Sequence, residues 1–369
     1  MRAEVRKITN IAGCRRYGST GEPEEQMAGK FFSLLLSLII VLSVGVRAAL
    51  AQELFYKGKT IRIVEAYSAG GGYDAYARLI ARHLGKHVPG NPTVIVENMT
   101  GAGGLIAVNY LYNRAEPDGL TLGNWNGALS LQQYLGQKGI EFDAPKFEWI
   151  GSPIRPSPIC ILSKSSGITT LKEWLNSKKP VKLGGMAPGT SLSDDARILN
   201  TALGLPIQLI EGYKGGADVK LAVNQGELDG ACGLAWETQK VTWHQELEFM
   251  NVVVQVGRRP HSELPKVPLA GEFAKTDAAR QLIKIGIQEL STLGHSYTLP
   301  PKTRKDRVAT LRKTFEDTMR DAEFLAEAEK AKIIINPSPG GELEEIVSGF
   351  RKLSPEILTK LKSILLPSK

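Results

Sequence analysis

The chain has 369 residues and a formal net charge of +8. Its apolar share of 42% and charged share of 23% are typical of folded globular proteins and exclude global disorder. No basic stripe alternates with aromatic residues, so we do not expect nucleic acid as a partner. The length exceeds that of one ordinary hydrophobic core and favours two α/β lobes.

The N-terminal segment has the features of an export signal. Lys30 precedes an apolar run at 31–46, and the small residues at 49–51 form an Ala-x-Ala cleavage site. The run is shorter than the roughly 20 apolar residues that span a bilayer. We therefore predict cleavage after Ala51 and a periplasmic protein, with Met27 as an alternative translation start.

Strand and helix patterns alternate from residue 60 onward. Residues 60–67 read as a strand, and a Gly-rich turn then leads to a helix for which Asp74 is the expected N-cap. A second strand at 93–97 enters another Gly-rich turn at 98–104, and a third strand covers 120–123. This order with short links predicts a parallel sheet.

The second half repeats the pattern and then becomes helical. Its strand patterns lie at 159–162, 181–185, 207–213, 228–233 and 251–256. We expect the last of these to return the chain to the first lobe, ahead of helices from 278 onward. The predicted domains are a leader at 1–51, lobe 1 at 52–150 plus 255–369, and lobe 2 at 151–254.

Cysteine and histidine patterns do not indicate a cofactor or a metal. Cys160 and Cys232 lie in strand-like segments, where a buried free thiol is the commoner outcome, although an exported protein permits a disulfide. Their pairing stays open. His83 and His87 lie four apart at a helix end, where solvation explains them better than a metal. No Gly-x-Ser-x-Gly elbow or phosphate loop is present, and we expect no catalytic residues.

Two turns have the chemistry of an anion site. Residues 68–74 and 189–193 each place a Gly-containing turn at the start of a helix. The first N–H groups of a helix lack internal partners, and the helix dipole adds positive charge there. This geometry suits a carboxylate. Trp125 and Trp236 follow strand ends and are candidates to line the ligand cleft, with core packing as the alternative, and Tyr213 is a candidate donor.

The order of these motifs resembles a known receptor family. The run Ala-Tyr-Ser-Ala-Gly-Gly-Gly-Tyr-Asp at 66–74 resembles the first turn of the tripartite tricarboxylate transporter receptors, the Bug family. Residues 101–104, 117–119, 189–190 and 213–215 resemble their later motifs in the same order. The resemblance implies a type II periplasmic-binding-protein fold, in which two α/β lobes and two hinge strands surround a ligand cleft.

The resemblance also implies a function. It predicts a monomeric periplasmic receptor that captures a small carboxylate and delivers it to a membrane transporter with a large and a small subunit. Met99-Thr100 replaces a frequent Arg-Pro, and Ser193 replaces a frequent His, which suggests a divergent branch. The predicted ligand-binding residues are Ser68, Ala69, Gly70, Gly71, Asp74, Gly103, Trp125, Gly189, Thr190, Ser191, Tyr213 and Trp236.

Two alternatives remain from the sequence. One is an exported α/β enzyme acting on a small acid, which requires His244 or His261 beside a serine or aspartate in the cleft. The other is a receptor that serves a sensor system instead of a transporter.

Overall fold

The computed structural model describes residues 55–366. The predicted signal peptide and the alternative start at Met27 lie outside the described residues. The strands of the described part, in chain order, are β1 (Thr60–Glu65), β2 (Thr93–Asn98), β3 (Thr121–Trp125), β4 (Glu148–Ser152), β5 (Pro158–Ser163), β6 (Val181–Gly184), β7 (Ile207–Ile210), β8 (Gly230–Ala235), β9 (Met250–Gln255), β10 (Ser296–Leu299) and β11 (Ser338–Pro339).

Helices connect and cover these strands. Between residues 55 and 366 the α-helices are α1 (Gly72–Leu84), α2 (Leu105–Asn113), α3 (Leu129–Leu135), α4 (Leu171–Leu175), α5 (Ser191–Leu203), α6 (Gly216–Asn224), α7 (Trp236–Thr242), α8 (Asp277–Ile283), α9 (Lys305–Arg320), α10 (Ala322–Lys330), α11 (Gly340–Gly349) and α12 (Pro355–Leu365). A π-helix at Lys284–Glu289 and a 3-10 helix at Leu290–Leu293 continue α8. No helix in this part of the chain is long and apolar enough to cross a membrane.

The strands form two mixed sheets, one in each lobe. The first sheet has the order β11-β4-β10-β3-β1-β2, and the second has the order β7-β6-β8-β5-β9. β1 pairs in parallel with β2 and β3, as the strand–helix–strand order predicts. β10 runs antiparallel between β3 and β4, and β5 runs antiparallel to β8 and β9. The predicted two-lobed α/β fold is therefore confirmed. The sequence predicted parallel strands, and the antiparallel strands in both sheets were not predicted.

The first helix follows directly from the apolar pattern. Tyr76, Leu79 and Ile80 are buried at the spacing of one helix face, and they pack on Ile61 and Ile63 of β1. Thr60 and Arg62, which point to the other face, are less buried, and Ile61 and Ile63 form the apolar face that β1 presents to this helix. This packing fixes the direction in which the turn between β1 and α1 faces.

The return to the first sheet occurs later than the sequence predicts. β9 does not enter the first sheet, because it pairs antiparallel with β5 at the edge of the second. The π-helix that follows α8 packs on α5 of the second lobe, where Gly286 faces Ile198. The chain joins the first sheet only at β10. A strand pattern shows that a strand forms but does not show which sheet edge accepts it.

The two cysteines of the described part form a disulfide. Cys160 on β5 and Cys232 on β8 lie on antiparallel neighbouring strands, with Cα atoms 4.0 Å apart. The favoured expectation of two buried free thiols is therefore wrong. Both residues are fully buried, as expected, but their spacing of 72 residues does not reveal that the strands are neighbours.

Candidate ligand-binding site

A cavity of about 110 Å³ lies between the loops of the two sheets, and we call it the cleft. The first lobe contributes the turn from Ser68 to Tyr73 and the residues Asn126 and Ala128. The second lobe contributes the starts of α5, α6 and α7. The helical segment that returns to the first sheet closes the cleft with Gly286, Ile287, Leu290, Ser291, Gly294 and His295.

Asp74 organises the first turn from inside α1. From the sequence, Asp74 is the expected N-cap, but it is the third residue of the helix, and the N-cap is Gly71. One carboxylate oxygen accepts the Gly70 N–H at 3.0 Å and the Arg78 Nε–H at 2.8 Å. The other oxygen accepts the Asn98 side-chain amide at 3.0 Å. Burial opposes ionisation, but these hydrogen bonds outweigh it and lower the pKa of Asp74, which therefore stays ionised.

The second turn is organised in the same way. Both oxygens of Asp194 accept the Gly189 N–H, at 3.0 and 3.1 Å, so this donor is not free for a ligand. Gln132 of the first lobe donates to Asp194 at 2.7 Å. The Ser191 hydroxyl accepts from Asn126, also of the first lobe, at 3.0 Å. Hydrogen bonds thus join the two lobes at the start of α5.

Three helices direct free main-chain donors at the cleft. The first residues of a helix have no acceptor within the helix, and here none of the described residues supplies one. The residues that combine a free N–H with a place in the cleft wall are Gly72, Tyr73, Ser191, Leu192, Gly216 and Ala217. The start of α6 was not among the predicted site residues, although the preceding Lys-Gly-Gly at 214–216 has the composition of such a turn.

The predicted residues divide into those that line the cleft and those that do not. Ser68, Gly70, Gly71, Thr190 and Ser191 line it. Ala69 is exposed, and Asp74 and Gly189 act behind the wall through the contacts described above. Gly103 lies against the second turn instead, where a Cβ would come within 2.9 Å of Ala187.

The two tryptophans are not part of the cleft wall, which corrects their predicted role. Trp125 is 1% exposed, packs against Phe147 and Trp149, and donates to Thr298 at 2.7 Å. Trp236 begins α7 and donates to Glu263 at 2.9 Å. A strand end is a good position for a ligand contact, but in both cases the indole N–H points to a protein acceptor. Tyr213 is half-buried and also lies outside the wall.

His295 is a cleft residue that the sequence did not indicate. Its ring stacks on Tyr73 with centroids 3.8 Å apart, and burial lowers its pKa to about 3, so it is neutral. Among the described residues no hydrogen bond joins it to a serine or an acid. His244 and His261, which the enzyme alternative required, do not line the cleft. A nucleophile–base pair is thus not formed by these histidines.

The histidine at the end of α1 belongs to an ion-pair cluster. His83 Nε2 lies 2.6 Å from a carboxylate oxygen of Glu327. The nearby carboxylates of Asp321 and Glu323 are bound by Lys86 Nζ at 2.7 and 2.6 Å. The ammonium group of Lys86 therefore neutralises the acids that could accompany His83 as metal ligands.

Two α/β sheets whose loops enclose one cleft define the class of two-lobed solute-binding proteins. Residues 76–331 match the model of the tripartite tricarboxylate transporter family receptor, and the chain belongs to that family. It is 28% identical over 261 residues to a UPF0065 protein of Agrobacterium vitis, covering 68% of this chain and 70% of that relative. A UPF0065 protein of Bordetella bronchiseptica is 30% identical over 158 residues, which span 42% of this chain and less than half (46%) of that relative.

Solved structures share the fold at low sequence identity. The periplasmic binding protein BugD has a TM-score of 0.67 and 21% identity, covering 83% of this chain and 98% of its own. MatC from Rhodopseudomonas palustris, solved with bound malate, has a TM-score of 0.63 and 19% identity over 83% and 99% of the two chains. Rpa4515 of the same species, solved with adipate, has a TM-score of 0.66 and 18% identity over 83% and 98%.

Proposed function

We propose that the chain is a periplasmic receptor that captures a small carboxylate in the cleft and delivers it to a transporter with a large and a small membrane subunit. The observation that carries this proposal is the convergence of three helix N-termini on one cavity. Each N-terminus carries about half a positive charge together with free N–H groups, so it favours an anion. The malate and adipate bound by two structural neighbours support the same ligand class.

The main-chain donors explain how the site binds an anion without the family's frequent Arg and His side chains. Backbone N–H groups are fixed by the helix and need no particular side chain. The glycines at 70–72 line the cleft without side chains, so a ligand can approach the main chain closely there. Substitution at Met99, Thr100 and Ser193 therefore changes which ligand is preferred more readily than whether an anion binds.

Proline substitution tests this role, because proline lacks an N–H but fits the first position of a helix. Gly216 is the first residue of α6, and Gly215 before it has the extended backbone that proline requires, with ψ of 176°. Gly216→Pro removes one free donor. Gly216→Ala is the matched control, because a Cβ there meets nothing within 4 Å and the N–H stays.

We expect titration calorimetry to show tight binding of at least one small carboxylate among malate, succinate, glutarate, adipate, aspartate and glutamate. Losing one hydrogen bond to a charged group costs about 1.5–3 kcal/mol, so Gly216→Pro should weaken that binding roughly 10- to 100-fold. Gly216→Ala should stay within about threefold of the original. If no carboxylate binds, or if both variants bind alike, the proposed capture by helix N-termini is wrong.

A further inference from the structure

One acidic side chain in the cleft has no partner. Asp195 lies in the first turns of α5, lines the cleft and is 4% exposed. No hydrogen bond or ion pair reaches its carboxylate from the described residues, and one of its oxygens is fully buried. The neighbouring Asp194 differs, because Gly189 and Gln132 both donate to it. Asp195 is therefore not needed to hold the turn together.

The cleft has no free basic side chain among the described residues to balance this acid. Lys220 lines the cleft, but its ammonium donates to the Thr242 carbonyl at 2.8 Å and lies 3.4 Å from Glu246. Arg197, on the same helix as Asp195, pairs with Glu211. His295 is neutral, as described above. An unpaired carboxylate in a mostly apolar cavity is unfavourable, so burial and the adjacent Asp194 raise the pKa of Asp195 well above its ordinary value until a ligand supplies a cation as partner.

Other unpartnered atoms of the cleft wall include hydrogen-bond acceptors. The Gln239 side-chain carbonyl is buried without a donor, as is the Thr238 hydroxyl. The same wall holds the free N–H groups of α1, α5 and α6. The cleft therefore offers donors for a carboxylate and, separately, acceptors for a group that donates hydrogen bonds.

We propose that Asp195 binds an ammonium group of the ligand, so that the preferred ligands are small amino carboxylates. This inference rests on the proposed capture of a carboxylate by the helix N-termini. A zwitterion places its carboxylate against the free N–H groups and its ammonium against Asp195, which leaves both charges paired. A dicarboxylate supplies no cation for Asp195 and adds a second negative charge near an acid that burial already disfavours as a carboxylate.

Matched ligand pairs test this assignment by titration calorimetry on residues 52–369, which form a compact unit of their own. The pairs are succinate with aspartate, glutarate with glutamate, adipate with 2-aminoadipate, and glutarate with 4-aminobutyrate. We expect at least one amino compound to bind tenfold or more tightly than its partner. Asp195→Asn should reduce that preference to about threefold or less. Asp277→Asn, at a side chain that is 91% exposed, should leave it unchanged.

The outcomes separate this inference from the proposed function. If dicarboxylates bind as tightly as their amino counterparts, or if the preference survives in Asp195→Asn and Asp195→Ala, Asp195 is not the ammonium site. Dicarboxylates that bind as tightly as the amino compounds, and equally well in Asp195→Asn, would make Asp195 a neutral donor and overturn the inference. In these cases carboxylate capture stands, whereas the absence of binding by every compound refutes the proposed function as well.

Discussion

The disulfide between Cys160 and Cys232 gives a stability prediction whose size follows from the chain. The two residues are separated by 72 positions, so the bond closes a long loop in the unfolded chain. The loop-entropy relation gives about 4 kcal/mol for a loop of this length at 25 °C. We expect the double variant Cys160→Ala/Cys232→Ala to lose about this much free energy of unfolding.

Urea denaturation of residues 52–369 measures this loss without interference from Cys14 of the leader. With a slope of about 3 kcal/mol per molar urea, the midpoint should fall by more than 1 M. Dithiothreitol should lower the midpoint of the original chain by a similar amount and leave the double variant unchanged. Two free thiols in the unfolded, unreduced chain, or a midpoint insensitive to reductant, would refute the disulfide and this reasoning.

Two further predictions concern contacts across the cleft. A Cβ at Gly215 would overlap the Ser68 hydroxyl of the opposite lobe, so Gly215→Ala should weaken ligand binding at least tenfold, while Gly341→Ala, with nothing within 4 Å of its Cβ, should not. Equal affinity for both variants in calorimetry would contradict this role of the contact. Burial raises the pKa of Asp194 to about 7, above the value near 3.9 in an unfolded chain. The folded state therefore binds the proton more tightly, and the free energy of unfolding should fall as the pH rises from about 4 to 7. Urea denaturation at pH 5 and pH 8 should show a smaller loss of free energy of unfolding in Asp194→Asn than in the original chain. An equal loss in both would mean that another group causes the pH dependence.

Local patterns predicted the framework of the cleft. The apolar spacing of Tyr76, Leu79 and Ile80 defined α1, and the Gly-rich turns marked where helices begin. Because the N-terminus of a helix always lacks internal acceptors, the pattern also indicated the chemistry of the site. The turn before Gly216 has the same composition and also begins a helix. The Gly216 N–H is free, although Gly216 was not among the predicted ligand-binding residues. What could be predicted depended on neighbours in sequence.

Features that depend on distant neighbours could not be predicted in this way. His295 looked isolated, yet β10 brings it against Tyr73, more than 200 residues away. Trp125 is the last residue of β3, but which side of the sheet its ring enters depends on Phe147 and Trp149. Asp195 and Gly286 line the same cavity although 91 positions separate them in the sequence. Each outcome is decided by packing between elements, which local periodicity does not encode.

The position of the free donors links ligand size to closure of the lobes. Those of α1 belong to the first lobe and those of α5 and α6 to the second, so only a closed cleft presents all three sets to one ligand. The lobes already touch where Gly72 meets Thr238, and they enclose about 110 Å³. A dry cavity of about 150 Å³ in another protein admits benzene, so a ligand for this cleft must be small.

Affinity should therefore fall once a carboxylate becomes too long for the closed cleft. A longer chain holds the lobes apart and loses the donors of one lobe, at about 1.5–3 kcal/mol for each charged hydrogen bond. Calorimetry over straight-chain acids of increasing length, tested both as dicarboxylates and as amino carboxylates, should show a drop of tenfold or more at one step. Small-angle scattering should show a larger radius of gyration with acids longer than this limit than with shorter acids. A smooth series, with the same compaction for every acid, would mean that the donors of a single lobe suffice for binding.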